Sequence, residues 1–269
     1  MIGSTLRPAA RPRYTVCMNN RPADRLAIAL AQLNPVVGDC AGNADKARRA
    51  RAQAAADGGP AVLVGTPWVE DGKLYNANLL LAGGRIDAIR YKVDLPNYGV
   101  FDEKRVFVPG PMPGPIVFKG VRIGIPICED IWGPDVVECV AESGGEILLV
   151  PNGSPYWRDK TAHRLNIAVA RVVEAGLPLV YLNQVGGQDE VVFDGASFVV
   201  NADRTLGAQL PAFEECVALT HWRREAGGWR CVEGPCAALV VNPMLVDAFS
   251  TVKTSAWEVV LFPKLASPA

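Results

Sequence analysis

The sequence predicts a mixed α/β (α+β) fold, and three observations carry that prediction. Short apolar runs of strand length alternate with helix-like stretches along the chain. Pairs of such runs also meet across Gly-containing turns, at Gly83-Gly84 and Lys119-Gly120, as hairpins do. No internal repeat of fixed period is found. Alternation alone would give a purely parallel sheet. The hairpins make it a mixed sheet covered by helices.

The elements follow in order. Residues 1–24 are rich in Pro and Arg, carry no periodicity and read as a loose leader. Residues 26–33 (LAIALAQL), ended by Asn34-Pro35, read as a buried strand. Asn43 suits the N-cap of an Ala- and Arg-rich helix that stops at Asp57-Gly58-Gly59-Pro60. Residues 61–65 form a second buried strand, and 76–82 with 85–93 form the first hairpin. Residues 94–115 are irregular and rich in Pro, Gly and aromatics, and long segments of this kind in compact domains usually carry function. A second hairpin joins 116–118 to 121–127. Helices follow at 135–143 and 156–175, and strands at 147–150, 179–183, 196–201 and 214–219. Signals weaken beyond His221. The main domain is placed at 25–249, and 250–269 is left as an unassigned tail.

Composition narrows the function. With 269 residues and 49% hydrophobic content, the chain can bury one large core. Lys and Arg number 27 against 28 Asp and Glu, a balance that points to neither nucleic acid nor membrane as partner. No run approaches the roughly 20 apolar residues of a spanning helix, and no apolar region follows the basic start. Seven scattered cysteines fit reduced thiols and a cytoplasmic location better than a disulfide framework. Two histidines leave little from which to build a metal site, so no metal is expected.

Two segments stand out for chemistry: residues 92–103 (KVDLPNYGVFDE) and 124–132 (GIPICEDIW). Cys128 lies where an apolar strand gives way to an acidic, helix-opening stretch. A thiol at such an elbow points out of the sheet, and the N–H groups after it can hold an oxyanion. On its residues alone Cys128 reads more readily as a buried structural thiol, the commonest fate of a cysteine. Glu129 and Asp130 would raise its pKa unless a cation compensates. Lys92 is the candidate cation, and by itself it reads as a surface lysine. His163 reads as part of a basic helix face with Lys160 and Arg164, and Trp132 and Trp157 as core or pocket wall.

Both segments resemble the nitrilase (carbon-nitrogen hydrolase) superfamily, and more narrowly the glutaminase domain of glutamine-dependent NAD synthetases. Residues 29–39 (ALAQLNPVVGD), 74–77 (LYNA), 152–160 (NGSPYWRDK), 183–190 (NQVGGQDE) and 193–197 (FDGAS) extend the resemblance over roughly 25–210. It implies a four-layer α-β-β-α sandwich and a Glu-Lys-Cys triad. Carried over by position, Cys128 is the nucleophile, Lys92 the oxyanion-stabilising cation, and Glu129 the donor of a backbone N–H. Tyr98, Ser154 and Lys160 fall on substrate-binding positions. The implied reaction releases ammonia from L-glutamine through a cysteine thioester.

Two features depart from the family pattern. Its general-base Glu lies on a PheProGluLeu segment, after the first helix and before the strand at 61–65. Here the helix stop runs directly into that strand, and PheProGluLeu occurs nowhere. The sandwich is therefore expected to lack one strand-helix unit, and Glu103 becomes the best in-chain carboxylate for the base, ahead of Glu70. The family also implies an ATP-using synthetase domain marked by a SerGlyGly-x-AspSer loop, which is not found in these residues. ATP and deamido-NAD would belong to that domain, so no cofactor is expected in this chain. The implied partners are L-glutamine, a separate synthetase subunit and further copies of the chain. The alternative to a working hydrolase is a catalytically impaired binding relative or a truncated gene product.

Overall fold

The computed structural model describes residues 24–55, 61–236 and, as backbone, 257–262. Strand β1 (Arg25–Gln32) leads into helix α1 (Cys40–Ala54), then β2 (Ala61–Glu70), β3 (Lys73–Ala82) and β4 (Arg85–Tyr91). A one-turn helix, α2 (Glu103–Val106), interrupts the irregular segment. Next come β5 (Ile116–Phe118), β6 (Val121–Gly124), α3 (Asp135–Glu142), β7 (Ile147–Asn152), α4 (Lys160–Ala175) and β8 (Leu179–Asn183). Strands β9 (Val185–Gln188) and β10 (Val191–Asp194) form a small ribbon. The remainder is β11 (Phe198–Val200), β12 (Leu206–Gln209), β13 (Cys216–Glu225), β14 (Gly228–Glu233) and β15 (Trp257–Phe262).

Seven strands make one sheet in the order β14-β13-β1-β15-β2-β3-β4, and six make the other in the order β12-β11-β8-β7-β6-β5. Alternation along β1 shows how they stack. Leu26, Ile28 and Leu30 join Leu63 and Leu80 against Ile123, Leu149, Val180 and Val199 of the second sheet. Ala29 and Ala31 face the other way, with Val62 and Val64, onto Ala50 and Ala54 of α1. The outer face of the second sheet, with Leu148, Val150 and Tyr181, packs on Val137 and Val140 of α3 and Ala168 and Val172 of α4. The layers are therefore α-β-β-α, as expected. Gly124 shows how tightly they close: a Cβ there would lie 2.4 Å from Val140 Cγ1 and 2.9 Å from Leu148 Cδ2. That spacing admits no side chain.

Several boundaries differ from expectation. Asp39, not Asn43, caps α1: its carboxylate accepts from the Gly42 N–H, while Asn43 is buried and bonds back to Val36. Helix α4 starts at Lys160, four residues later than its pattern predicts, because Pro155 and the left-handed Asp159 (φ 67°) hold the preceding stretch open. Strand β13 runs past His221 into a hairpin with β14, where sequence signals had faded. The helix stop at 57–60 and the leader up to residue 23 lie outside the described residues. Part of the tail that the sequence left unassigned is not outside the sheet. β15 pairs in parallel with β1 on one side and with β2 on the other. Among the described residues, no helix is long and apolar enough to cross a membrane.

Candidate active site

Cys128 begins a single 3-10 turn (Cys128–Ile131) that follows β6 after three residues. Its φ is +52°, a left-handed conformation that is strained for a residue with a Cβ. The turn is held open by Asp130. One carboxylate oxygen accepts from the Ile127 N–H at 2.8 Å. The other accepts from Val93 N at 3.0 Å and Asp94 N at 2.8 Å. One buried side chain thus clamps the Cys128 turn to the segment that carries Lys92. Burial pushes the Asp130 carboxyl up to about 7, against the pull of its N–H donors. Sequence reading noticed Asp130 only as a charge near the thiol. The clamp joins groups 36 and 37 residues apart, so no local pattern announces it.

Lys92 is not the surface lysine that its residue type suggested. It is 1% exposed, and its Nζ lies 3.0 Å from Glu103 Oε2. Asn76 on β3 donates to the same oxygen at 3.2 Å, and its carbonyl accepts from the Lys92 N–H. Burial raises the pKa of the Cys128 thiol. Lys92 is the first group that opposes this, helped by the Gly153 N–H, while Glu103 and Glu129 add to the rise. The structure therefore brings Cys128, Lys92 and Glu103 into one electrostatic neighbourhood. Lys92 opposes the rise without cancelling it, and the acidic neighbours oppose ionisation.

The predicted binding residues surround this centre in two ways. Tyr98 is half exposed, and its hydroxyl lies 2.8 Å from Glu129 Oε1; partial burial first, then this bond to the carboxylate, push the phenol pKa up. Ser154 and Lys160 are buried. The Lys160 ammonium sits 4.3 Å from the centre of the Trp132 ring and 3.3 Å from that of Trp157. Burial, then the nearby Arg164 charge, bring its pKa down to about 8. The basic helix face read around His163 is corrected here. His163 is exposed, edge-on to Trp132, whereas Lys160 and Arg164 point into the protein.

Arg164 is the main residue that sequence reading missed. It pairs with Asp194 at 2.6 Å, both side chains 2% exposed. It also donates to Ser154 Oγ, Ser154 O and Pro155 O. Asn183 adds a second hold, accepting from Ser154 N and donating to Ser154 O. Ser197, in turn, is fixed by Gln32 at the end of β1. The motif segments around 183 and 193 thus serve as the frame that holds Ser154. Among the described residues, no group of three or more His, Cys, Asp or Glu side chains could hold a metal.

The family model for carbon-nitrogen hydrolases matches residues 48–230. Glutamine-dependent NAD(+) synthetase of Rhodobacter capsulatus is 42% identical over 251 residues, a match that takes in 78% of this chain and 46% of that protein. The synthetase of Thermotoga maritima is 33% identical over 236 residues, covering 71% and 41% respectively. This chain thus spans less than half of either relative. Among solved structures, glutamine-dependent NAD+ synthetase from Acinetobacter baumannii superposes with a TM-score of 0.71 at 29% identity, covering 82% of this chain and 49% of that one. A nitrilase-superfamily amidase from Nesterenkonia, solved as a variant with one cysteine replaced by alanine, gives 0.65 at 25% identity, covering 74% and 91%. With an α-β-β-α sandwich, a buried Lys92 paired with Glu103 and a cysteine in a left-handed turn after β6, the chain belongs to the carbon-nitrogen hydrolase family.

Proposed function

We propose that this chain carries the glutamine-hydrolysing chemistry of a glutamine-dependent NAD synthetase. The observation that carries the reading is the convergence of Cys128, Lys92 and Glu103 in a buried site, framed by the Ser154, Lys160 and Tyr98 positions. The names of its relatives supply the substrate. Cys128 attacks the side-chain amide carbon of L-glutamine: a C–S bond forms, and the C–N bond breaks as ammonia leaves with a proton. Lys92 and the Glu129 N–H face the tetrahedral oxyanion. Water then cleaves the thioester, releases glutamate and returns the proton to sulfur. Lys160 is the cation for the substrate's α-carboxylate, and the Ser154 and Tyr98 oxygens serve its polar groups. ATP, deamido-NAD and a synthetase partner, supplied by the same or a separate chain, belong to the use of the ammonia. Assembly with further copies is part of the same reading, as is a cytoplasmic setting.

Glu103 is the carboxylate closest to the chemistry in this reading, yet it already holds Lys92 and Asn76. The usual PheProGluLeu segment is not found between α1 and β2. The Rhodobacter alignment supports that gap. It runs over 251 residues, whereas 78% of the 269 here is about 210. The difference fits a stretch that the relative has and this chain lacks. In the Nesterenkonia amidase, variants with one glutamate changed to Gln or Leu still carry the acetamide moiety of fluoroacetamide on the active-site cysteine. Attack by sulfur can thus outlast the loss of a glutamate in this family. The test is ammonia release from L-glutamine by the purified chain beside Cys128→Ala and Glu103→Ala. Activity lost in both variants supports the reading. A folded wild-type chain that neither releases ammonia nor reacts at Cys128 with a diazoketone analogue of glutamine overturns it.

A further inference from the structure

Gly153 follows the last residue of β7, and its N–H lowers the pKa of the Cys128 thiol, as Lys92 does. An N–H has this effect by bonding to the charged sulfur, so its worth depends on where it points. Glycine has the widest backbone freedom of any residue, so Gly153 does not fix that direction by itself. Its neighbours do. On one side, the buried Asn152 donates to Val150 O at 2.6 Å and to Leu182 O at 3.1 Å, which ties the end of β7 to β8. On the other side, Ser154 is held at each of its polar groups. Its N–H donates to Asn183 Oδ1 at 2.9 Å, and its carbonyl accepts from Asn183 Nδ2 at 3.1 Å. The same carbonyl accepts from Arg164 Nη2 at 2.6 Å, and Ser154 Oγ accepts from Arg164 Nε at 3.1 Å.

Arg164 Nη2 also donates to Pro155 O at 2.9 Å, so one rigid guanidinium fork spans two successive carbonyls and a hydroxyl. Asp194 balances its charge out of water. A buried ion pair is no more stabilising than apolar packing of the same volume. Stability therefore does not account for this pair; what it supplies is direction. We propose that Arg164, braced by Asp194, is a positioning residue for Cys128: by fixing Ser154 and Pro155 it aims the Gly153 N–H at the sulfur. Arg164 acts through the backbone and touches neither thiol nor substrate in this role. The inference deepens the hydrolase reading and rests on it only in that Cys128 is the reacting thiol.

The charged and titratable groups that act on the thiol are Lys92, Tyr98 and Glu103 from the segment after β4, Glu129 beside it, Lys160 from α4 and Tyr181 from β8. Arg164 acts as a charge on Lys160 and on Tyr181. Its charge and its fork are therefore two separate influences on the site, and the two can be separated by substitution. Arg164→Lys keeps the charge and loses the fork. Asn183→Ala loosens the other hold on Ser154 and changes no charge at all.

Three measurements test this. On the unmodified chain, amide hydrogen exchange at Gly153 is expected to be as slow as at Ser154, whose N–H is bonded; fast exchange at Gly153 overturns the proposal. The second measurement is the pH profile of Cys128 alkylation by iodoacetamide, followed by mass spectrometry, in variants first shown to be folded by near-ultraviolet circular dichroism. In both Arg164→Lys and Asn183→Ala the midpoint is expected to move to higher pH. The rate at pH 7 is expected to fall by ~3–10-fold, the worth of one hydrogen bond. A wild-type profile in either folded variant overturns the proposal, and if neither variant folds the exchange at Gly153 decides. The third measurement, labelling by the diazoketone analogue of glutamine, keeps the two readings apart. A protected Gly153 and slowed variants in a chain that the diazoketone does not label uphold the positioning role and tell against the hydrolase reading. A labelled chain with unmoved variants does the reverse.

Discussion

The two sheets of this sandwich are built by different means. In the second sheet, β6, β7 and β8 follow one another in the chain, are linked by α3 and α4, and pair in parallel between neighbours. The Cys128 turn, Ser154 and the Arg164–Asp194 pair all grow from this stretch of about seventy residues. In the first sheet, β1 pairs with β13 and with β15, strands some 190 to 230 residues away. The half that carries the thiol is thus encoded close together. The half that faces it depends on contacts that close very long loops. There β15 fills the slot between β1 and β2 although the chain reaches it last, because the sheet requires a paired strand in that slot and not a particular connection.

The comparison can be broken first at Cys128. Cys128→Ala is expected to lower glutamine hydrolysis by ~10⁴-fold or more while leaving thermal unfolding unchanged, since the thiol contributes chemistry and little packing. A change in melting without a change in rate would reverse the roles of the two regions. The next effect tests the locally encoded frame. Arg164→Met leaves Asp194 as an uncompensated buried charge and is expected to cost about 3–5 kcal/mol in urea unfolding. A loss this large from one side chain would separate it from any surface pair, such as Arg48–Asp45, whose removal should cost well under about 1 kcal/mol.

The Asp130 clamp sharpens the comparison through pH. Its folded-state value of about 7 lies above the ordinary 3.8 because of burial. The folded chain therefore holds this proton more tightly than the unfolded chain. The stability contribution is complete below about pH 4 and is lost as pH rises towards 7. Asp130→Asn is expected to flatten that fall in stability between pH 4 and 7, measured by chemical denaturation, and to weaken the hold on the Lys92 segment. Lys160 gives a smaller, kinetic signature. Its value of about 8 means that the ammonium is lost in mildly alkaline solution. kcat/KM for glutamine is expected to fall above about pH 8 through KM, and Lys160→Met to lose that limb. The smallest effect belongs to Tyr98→Phe. It removes one half-exposed hydrogen bond to Glu129 and is expected to change stability by no more than about 0.5 kcal/mol.

The sequence by itself determined the mixed α/β class, the strand and helix order through β8 apart from the one-turn α2, and the place of Cys128 at a strand-to-turn elbow, while the four layers were implied by the resemblance. All of these rest on local signals: apolar periodicity, Gly and Pro stops, and two contiguous motifs. It also brought Lys92, Glu103, Tyr98, Ser154 and Lys160 onto one short set of candidates through motif resemblance. Tertiary structure alone decided that Lys92 and Lys160 are buried, that Arg164 frames the site instead of facing solvent, and that Asp130 ties two distant segments together. Burial and ion pairing depend on which segments meet, and the spacing of charges along one helix does not record it. Tertiary structure also decided that part of the tail belongs inside the first sheet. Strand pairing is satisfied by backbone groups common to every residue, so the six-residue strand β15 carries no local mark of the neighbours between which it lies.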